Sequence, residues 1–382
     1  MKRAILGLVL VIGSMAAMAE LPVETIPKVE TLPSSYPDTW VFAHDTNFFS
    51  LSDAKVVLVD VAAENRNYKG SLPSSHFPSF LAAATRSEVY VAESIYSRRM
   101  RGERTDLISI YDKVNLAPIG EVILPGAKRG MIVTHKNTLQ FLDNEKFLLL
   151  YNFTPATSVS VVDIDKRAFL AEVSIGGCSM IYPSKQRSFG SLCGDNTMLV
   201  THLDENGKQV KQERSGAFFN ADTDPVFAKP AVIDGIYYFP SFKGMVHPVD
   251  MNAADPAMPE AWSLLQEQDR QANWRPGGWQ IATAHEASRR LFVLMHPDGE
   301  NGSHKGGGSE VWIYDVASEK RLERMTLKEW GVSIEVTQGE QPFLVVTNAN
   351  MDLDVYSADT GEWLRFIGGR AFETPFILHA SR

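Results

Sequence analysis

VVLVDV (56–61) is a short apolar run that closes on an aspartate, and its return along the chain decides the fold. The same pattern, a strand ending near an aspartate and followed by a polar turn, comes back as LISIYD (107–112), SVSVVDI (158–164) and MLVTHLD (198–204). It recurs as MVHPVDM (245–251), EVWIYDV (310–316) and DLDVYSAD (352–359). Most copies lie about 40 to 50 residues apart, the period of a four-stranded propeller blade. Two more strand candidates precede each copy, the first of them starting near Phe80, Met131, Ser179, Ala231, Gln280, Val332 and Pro375. GEVIL (120–124), AEVSI (171–175) and RMTL (324–327) read as outer strands. The expected architecture is all-β, a seven-bladed β-propeller over residues 39–382. Its ends match: TWVFAHDT (39–46) reads as a second strand with no first strand before it, and ETPFILHAS (373–381) as a first strand with nothing after it. Pairing them closes the ring and removes two sheet edges.

Ahead of this body, Lys2 and Arg3 precede an apolar run from Ala4 to Ala16 and the triplet Ala17-Met18-Ala19. That is the pattern of a secretory signal peptide over residues 1–19, cut after Ala19, with export to a bacterial periplasm. Residues 20–38 hold four prolines and read as an extended arm. The chain carries a formal charge of −9, and loss of Lys2 and Arg3 takes it to −11. An acidic balance excludes nucleic acid as a partner, because backbone binding needs a basic footprint. No other apolar stretch is long enough for a span, so no membrane partner is expected.

Cys178 and Cys193 are the only two cysteines. In an oxidising compartment such a pair reads as one disulfide. Their midpoint falls on residues 184–187, a plausible hairpin turn, which sets them opposite each other on adjacent strands. A loop of this size contributes roughly 3 kcal/mol in the chain-entropy treatment.

Unusual loops collect on the propeller face that carries the second-to-third-strand connections: HDTNFFSLSDA (44–54), SRRMRGERTD (97–106), NFTPATS (152–158), SFKG (241–244) and HPDGENGSHKGGGS (296–309). A long insertion ending in NWRPGGW (273–279) opens on the same face. Phe48, Phe49, Arg98, Arg99, Arg101, Arg104, Trp274 and Arg275 form the mixture of aromatics and arginine enriched at protein contacts. Chemistry is sparse. His296 and His304 share a loop with Asp298, Glu300 and Asn301, but the spacing matches no zinc or EF-hand pattern. His76, His135, His202 and His285 are scattered, and no nucleophile elbow, H-E-x-x-H or P-loop is present. No catalytic residue and no metal ligand is therefore assigned, and a binding scaffold is favoured over a catalyst.

RGERTDLISIYD (101–112), FTPATSVSVVDID (153–165), the Cys178…Cys193-Gly194-Asp195 hairpin, PEAWSLLQEQDRQANWRPGGWQ (259–280) and HPDGENGSHKGGGSEVWIYD (296–315) resemble the heavy subunit of the tryptophan tryptophylquinone amine dehydrogenases. The likeness runs from about residue 40 to the C-terminus. Its WSLL and HPDG-x-x-G-x-HK features look nearer the aromatic (aralkylamine) branch than methylamine dehydrogenase. The resemblance implies two heavy and two light subunits. The cofactor, tryptophan tryptophylquinone, would lie in the cysteine-rich light chain, with none bound by this one. It also implies oxidation of a primary amine to an aldehyde and ammonia, with a blue copper protein such as azurin or amicyanin as electron acceptor. Phe48 or Phe49 falls where the family places an aromatic residue at the substrate channel. Arg98, Arg99, Arg101, Arg104, Trp274 and Arg275 become candidates for the light-subunit interface.

Two other readings stay open at this point. One is a stand-alone periplasmic propeller enzyme, lactonase-like or with a quinone on the axis. It would need carboxylates or asparagines converging from several first strands, and FLAAAT, MIVTH, SMIYP, AVIDG and QIATAH offer few. The other is a free-standing surface-recognition propeller.

Overall fold

The computed structural model describes residues 31–126, 128, 134–369 and 372–381. The expected signal peptide, most of the arm and the strand start near Met131 lie outside them. Five antiparallel sheets have four strands each. The first runs Ile377–Ala380, Trp40–Asp45, Lys55–Asp60, Tyr68–Pro73, and the second His76–Ala82, Glu88–Arg98, Arg101–Asp112, Pro118–Ile123. The third is Leu139–Leu142, Phe147–Asn152, Ser158–Asp163, Ala168–Ser174. The fourth is Cys178–Pro183, Ser188–Cys193, Met198–Leu203, Gln209–Arg214, and the fifth Ala231–Ile233, Ile236–Pro240, Met245–Asp250, Trp262–Ser263.

The remaining strands correct the expectation of seven blades. They form one eight-stranded sheet, so the propeller has five four-stranded blades and a double-width unit. The cause is the 17-residue strand Lys320–Val336. It pairs with Gly308–Asp315 through its first part and with Phe343–Asn348 through its last. Between them, LKEWG (327–331) stays extended where the sequence pattern called for a break between outer and inner strands. The two halves of this sheet pack face to face through Phe292, Leu294 and Ile313 on one side and Ile334, Leu344 and Val346 on the other.

The recurring aspartate has a local cause. Asp60, Asp112, Asp163, Asp204, Asp250 and Asp315 each accept a backbone N–H two or three residues on, from Ala62, Val114, Lys166, Asn206, Asn252 and Ser318. These Asx turns end the third strand and start the return. In the last copy the hydroxyl of Ser357 does the same for Thr360.

Second strands such as Trp40–Asp45, Phe147–Asn152 and Ser188–Cys193 are buried along their whole length, because neighbouring sheets cover both faces. Outer strands such as Gln209–Arg214 are exposed and charged, which blunts edge pairing. Core clusters lie between successive sheets; Leu149, Val159 and Val161 of the third meet Ile181, Phe189 and Leu199 of the fourth. Cys178 and Cys193 stand opposite each other in register and are bonded.

Ile377–Ala380 pairs with Trp40–Asp45, joining the last described strand to the first. The buried carboxylate of Asp45 fastens the junction by accepting from the backbone N–H of Glu373 (2.7 Å) and Thr374 (2.9 Å). Packing begins before Thr39: Leu32 and Tyr36 are buried, and the Tyr36 hydroxyl donates to the Lys113 carbonyl at 2.6 Å.

Candidate functional site

Each innermost strand runs away from the loop face, so the segments just before those strands surround the mouth of the propeller axis. His135, Lys136, Lys229, Pro230, Trp279, Gln280 and Ile377 line a cavity there. Trp279 is its centre. Its ring lies 5.2 Å from His135, its Nε1 donates to the Thr134 carbonyl (3.2 Å), and the Lys229 ammonium sits 4.1 Å above it. From Trp279 the aromatic contacts run outward to Phe376 (6.1 Å) and on to Phe48 (5.2 Å). Phe49, next to it, is 82% exposed.

Deeper on the axis, the buried carboxylate of Glu335 is fully engaged. It takes Lys136 at 2.6 Å, Gln280 at 2.7 Å, Thr283 at 3.2 Å and the Ala380 N–H at 3.2 Å. Gln280 also bridges to Leu378 in both directions. Every polar group in this knot has a partner inside the protein, so it ties the inner strands together and offers no free base.

Three histidines around it are held neutral. Burial pushes His44 down to about 3. Burial, helped by Lys229, does the same to His135. Burial, with Lys136 and His44, holds His379 well below its usual range. The unfolded chain binds protons at these sites near pH 6.5 and the folded chain does not, so stability falls as pH drops through the window from 6.5 toward 3. Urea unfolding across this window should show a shallower pH slope for His44→Gln than for the wild type. Parallel slopes would show that His44 contributes nothing.

The expected contact residues divide. The strands Glu88–Arg98 and Arg101–Asp112 form the longest hairpin of the five separate sheets. Arg98, Arg99 and Arg101 are exposed at its tip with Met100. Arg99 pairs with Asp53 at 3.0 Å beside Phe49's loop. Arg104 is turned inward on Asp106 (2.8 Å). Trp274 does not face outward: it is buried, 5.1 Å from Trp312, with the Arg324 guanidinium 4.6 Å above it. Arg275 lies over Phe242 at 5.7 Å. Lys229 and Phe376 were not singled out from the sequence, and His135 was read only as one of the scattered histidines; the only signal was their position ahead of inner strands.

Among the described residues, one group has metal-ligand chemistry, His202, Glu213 and Asp255, away from the loop face. Asp255 lies 3.6 Å from His202, and Glu213 is held by Lys211 at 2.6 Å. No described helix is long and apolar enough to cross a membrane.

Residues 39–377 match the family model described as methylamine dehydrogenase heavy chain. The methylamine dehydrogenase heavy chain of Paracoccus versutus is 28% identical over 78% of this chain and 70% of its own length. That of Methylorubrum extorquens is 25% identical, covering 84% and 78%, and that of Methylobacillus flagellatus 24% identical, covering 92% and 86%. Among solved structures, the dihydro-heme d1 dehydrogenase NirN is similar in fold, with a TM-score of 0.53 and 14% identity over 94% of this chain and 78% of its own. A protein from Lactobacillus plantarum gives a TM-score of 0.58 with 12% identity over 88% and 96%.

Proposed function

This chain belongs to the methylamine dehydrogenase heavy-chain family, and from that premise we propose that it is the non-catalytic heavy subunit of a periplasmic quinoprotein amine dehydrogenase. The observation that carries the reading is the extent of the family match, which takes in nearly the whole propeller. In this reading a light chain bears tryptophan tryptophylquinone, which supplies the oxidation of a primary, aromatic amine to aldehyde and ammonia. Two heavy and two light chains assemble, and a blue copper protein of the azurin or amicyanin type takes the electrons. The heavy chain binds no cofactor. Its part is to seat the light chain and to wall the substrate channel.

The rim aromatics support that part. Phe48 is anchored by its N–H on Thr374 Oγ1 (3.2 Å) and by its ring on Phe376, whereas the Phe49 ring is free. An anchored ring beside a free one suits a wall and a gate over an aromatic passage. Phe49→Ala should shift KM among aromatic and aliphatic amines several-fold with little change in folding. Phe48→Ala should do so with some loss of stability. Unchanged kinetics in both variants would remove them from the channel.

Native mass spectrometry of the complex from its own periplasm, beside an amine-dependent dye-reduction assay, tests the whole reading. A heterotetramer with a small quinone-bearing chain and activity on aromatic amines is expected. An active monomer would overturn it.

A further inference from the structure

The fourth and fifth sheets are joined by an apolar seam in which Met198 and Val200 of one pack on Phe239 and Val249 of the other. At the outer edge of that seam, away from the loop face, the same strands turn polar. His202 lies two residues after Val200 on Met198–Leu203, and Glu213 pairs with Val200 from the outer strand Gln209–Arg214. Side chains alternate along a strand, so both share Val200's face, the one turned to the fifth sheet. Asp255 meets them from the loop that follows Met245–Asp250 of that sheet.

The donor atoms of these three side chains lie within 4.8 Å of one another. His202 Nε2 is 3.6 Å from Asp255 Oδ1, too long for a hydrogen bond, and has no hydrogen-bond partner among the described residues. Two ligands of one tetrahedral zinc ion, each about 2.0–2.1 Å from the metal, stand roughly 3.4 Å apart. The pair therefore has the spacing of donors that share an ion. The way in is open, because the Asp255 and Glu213 side chains are 73% and 47% exposed. His202 itself lines a cleft of about 340 Å³ with Gln186, Arg187 and Ser188.

The carboxylates already gather a cation. Lys211 pairs with Glu213 at 2.6 Å, and that hydrogen bond, with the charges of Glu213 and Asp255, holds Lys211 above the usual lysine range. An exposed lysine is a weak counterion, and it leaves the imidazole unused. The loop is also held in place. Asp250 and Ala257 exchange both backbone hydrogen bonds, at 2.8 and 3.0 Å, and the Ser188 hydroxyl of the fourth sheet donates to the Ala254 carbonyl at 3.1 Å. Asp255 is thus tethered to the sheet that carries His202.

We propose that His202, Glu213 and Asp255 form a site for a divalent transition-metal ion of the zinc type, which staples the fourth sheet to the fifth. One imidazole and two carboxylates, with water completing the coordination, suit zinc, whereas calcium and magnesium take oxygen ligands. Glu213 reaches the ion by releasing Lys211.

The test uses the full, untagged chain, freed of metal with a chelator and titrated with zinc chloride by calorimetry. One zinc per chain is expected, and zinc should raise the melting temperature by several degrees, since an ion that binds the native state stabilises it. His202→Gln and Asp255→Asn should each weaken binding at least about tenfold and abolish the zinc-dependent rise, while melting close to the wild type without zinc. Lys211→Gln should tighten binding several-fold, because the competing cation is gone. A wild-type chain that binds no zinc, or zinc binding unchanged by both ligand substitutions, overturns the site. Neither result bears on the amine dehydrogenase reading, which the dye-reduction assay tests separately.

Discussion

Deleting residues 373–382 is expected to abolish soluble, cooperative folding. The loss goes well beyond one short strand. Leu378, fully buried, leaves the cluster it shares with Val41, Val57 and Val355. Asp45, also fully buried, loses the N–H groups of Glu373 and Thr374. Gln280 loses Leu378, Glu335 loses the Ala380 N–H, Ser333 loses Phe376 and Thr347 loses Pro375. A net hydrogen bond is worth about 1 kcal/mol and one to a charged group about 1.5 to 3 kcal/mol. Their sum, with the apolar loss, rivals the roughly 5 to 15 kcal/mol by which a domain is stable. The freed edge of Trp40–Asp45 would also invite aggregation. Soluble yield and a circular-dichroism melt check this, and a truncated chain that melts like the full one would refute closure by these strands. Asp45→Ala, which removes only the clasp, should lower the melting temperature without abolishing the transition.

Asp269→Ala should cost about 3 to 5 kcal/mol, as expected when one partner of a buried ionic cluster is removed. Asp269 is 1% exposed and takes Arg321 at 2.7 Å and Arg324 at 3.3 Å. It also accepts the Gln266 N–H at 2.9 Å, which starts the short helix Glu267–Gln271. Both guanidiniums stack on Trp312, at 4.4 and 4.6 Å. Without the aspartate, Arg321 is left buried against the ring with no counterion, whereas Arg324 keeps Glu310 at 2.8 Å. Asp269→Asn, which can still accept at the helix start, should fall between. Urea unfolding of the three proteins reads the difference, and equal midpoints would show that the cations reach water.

What could be read in the sequence was what depends on neighbours along the chain. The third strands were legible because each ends in an aspartate or serine that caps its own turn, a device confined to a few residues. The disulfide was legible because Cys178 and Cys193 are symmetric about one hairpin. The continuous strand Lys320–Val336 was not, since nothing in LKEWG separates an extended passage between sheets from a bend. The loop-face cluster was legible only in part. Arg275 and the rim phenylalanines belong to unusual loops, but Lys229 meets Trp279 across 50 positions of chain, and His304 meets Phe227 across 77. Trp274 was misplaced because an aromatic next to an arginine reads as a contact surface. Its real partner, Arg324, comes from another strand and covers it.

The shared strand has a mechanical side. Where two sheets meet only through side chains, they can slide or part without breaking a backbone ladder. Where Lys320–Val336 runs through, shear would have to break hydrogen bonds in both ladders together. Amide exchange should accordingly show this unit opening as one block, later than the five separate sheets. The Gly-rich loop and the NWRPGGW segment spring from that block, so these two segments should keep their places relative to each other even when neighbouring sheets open.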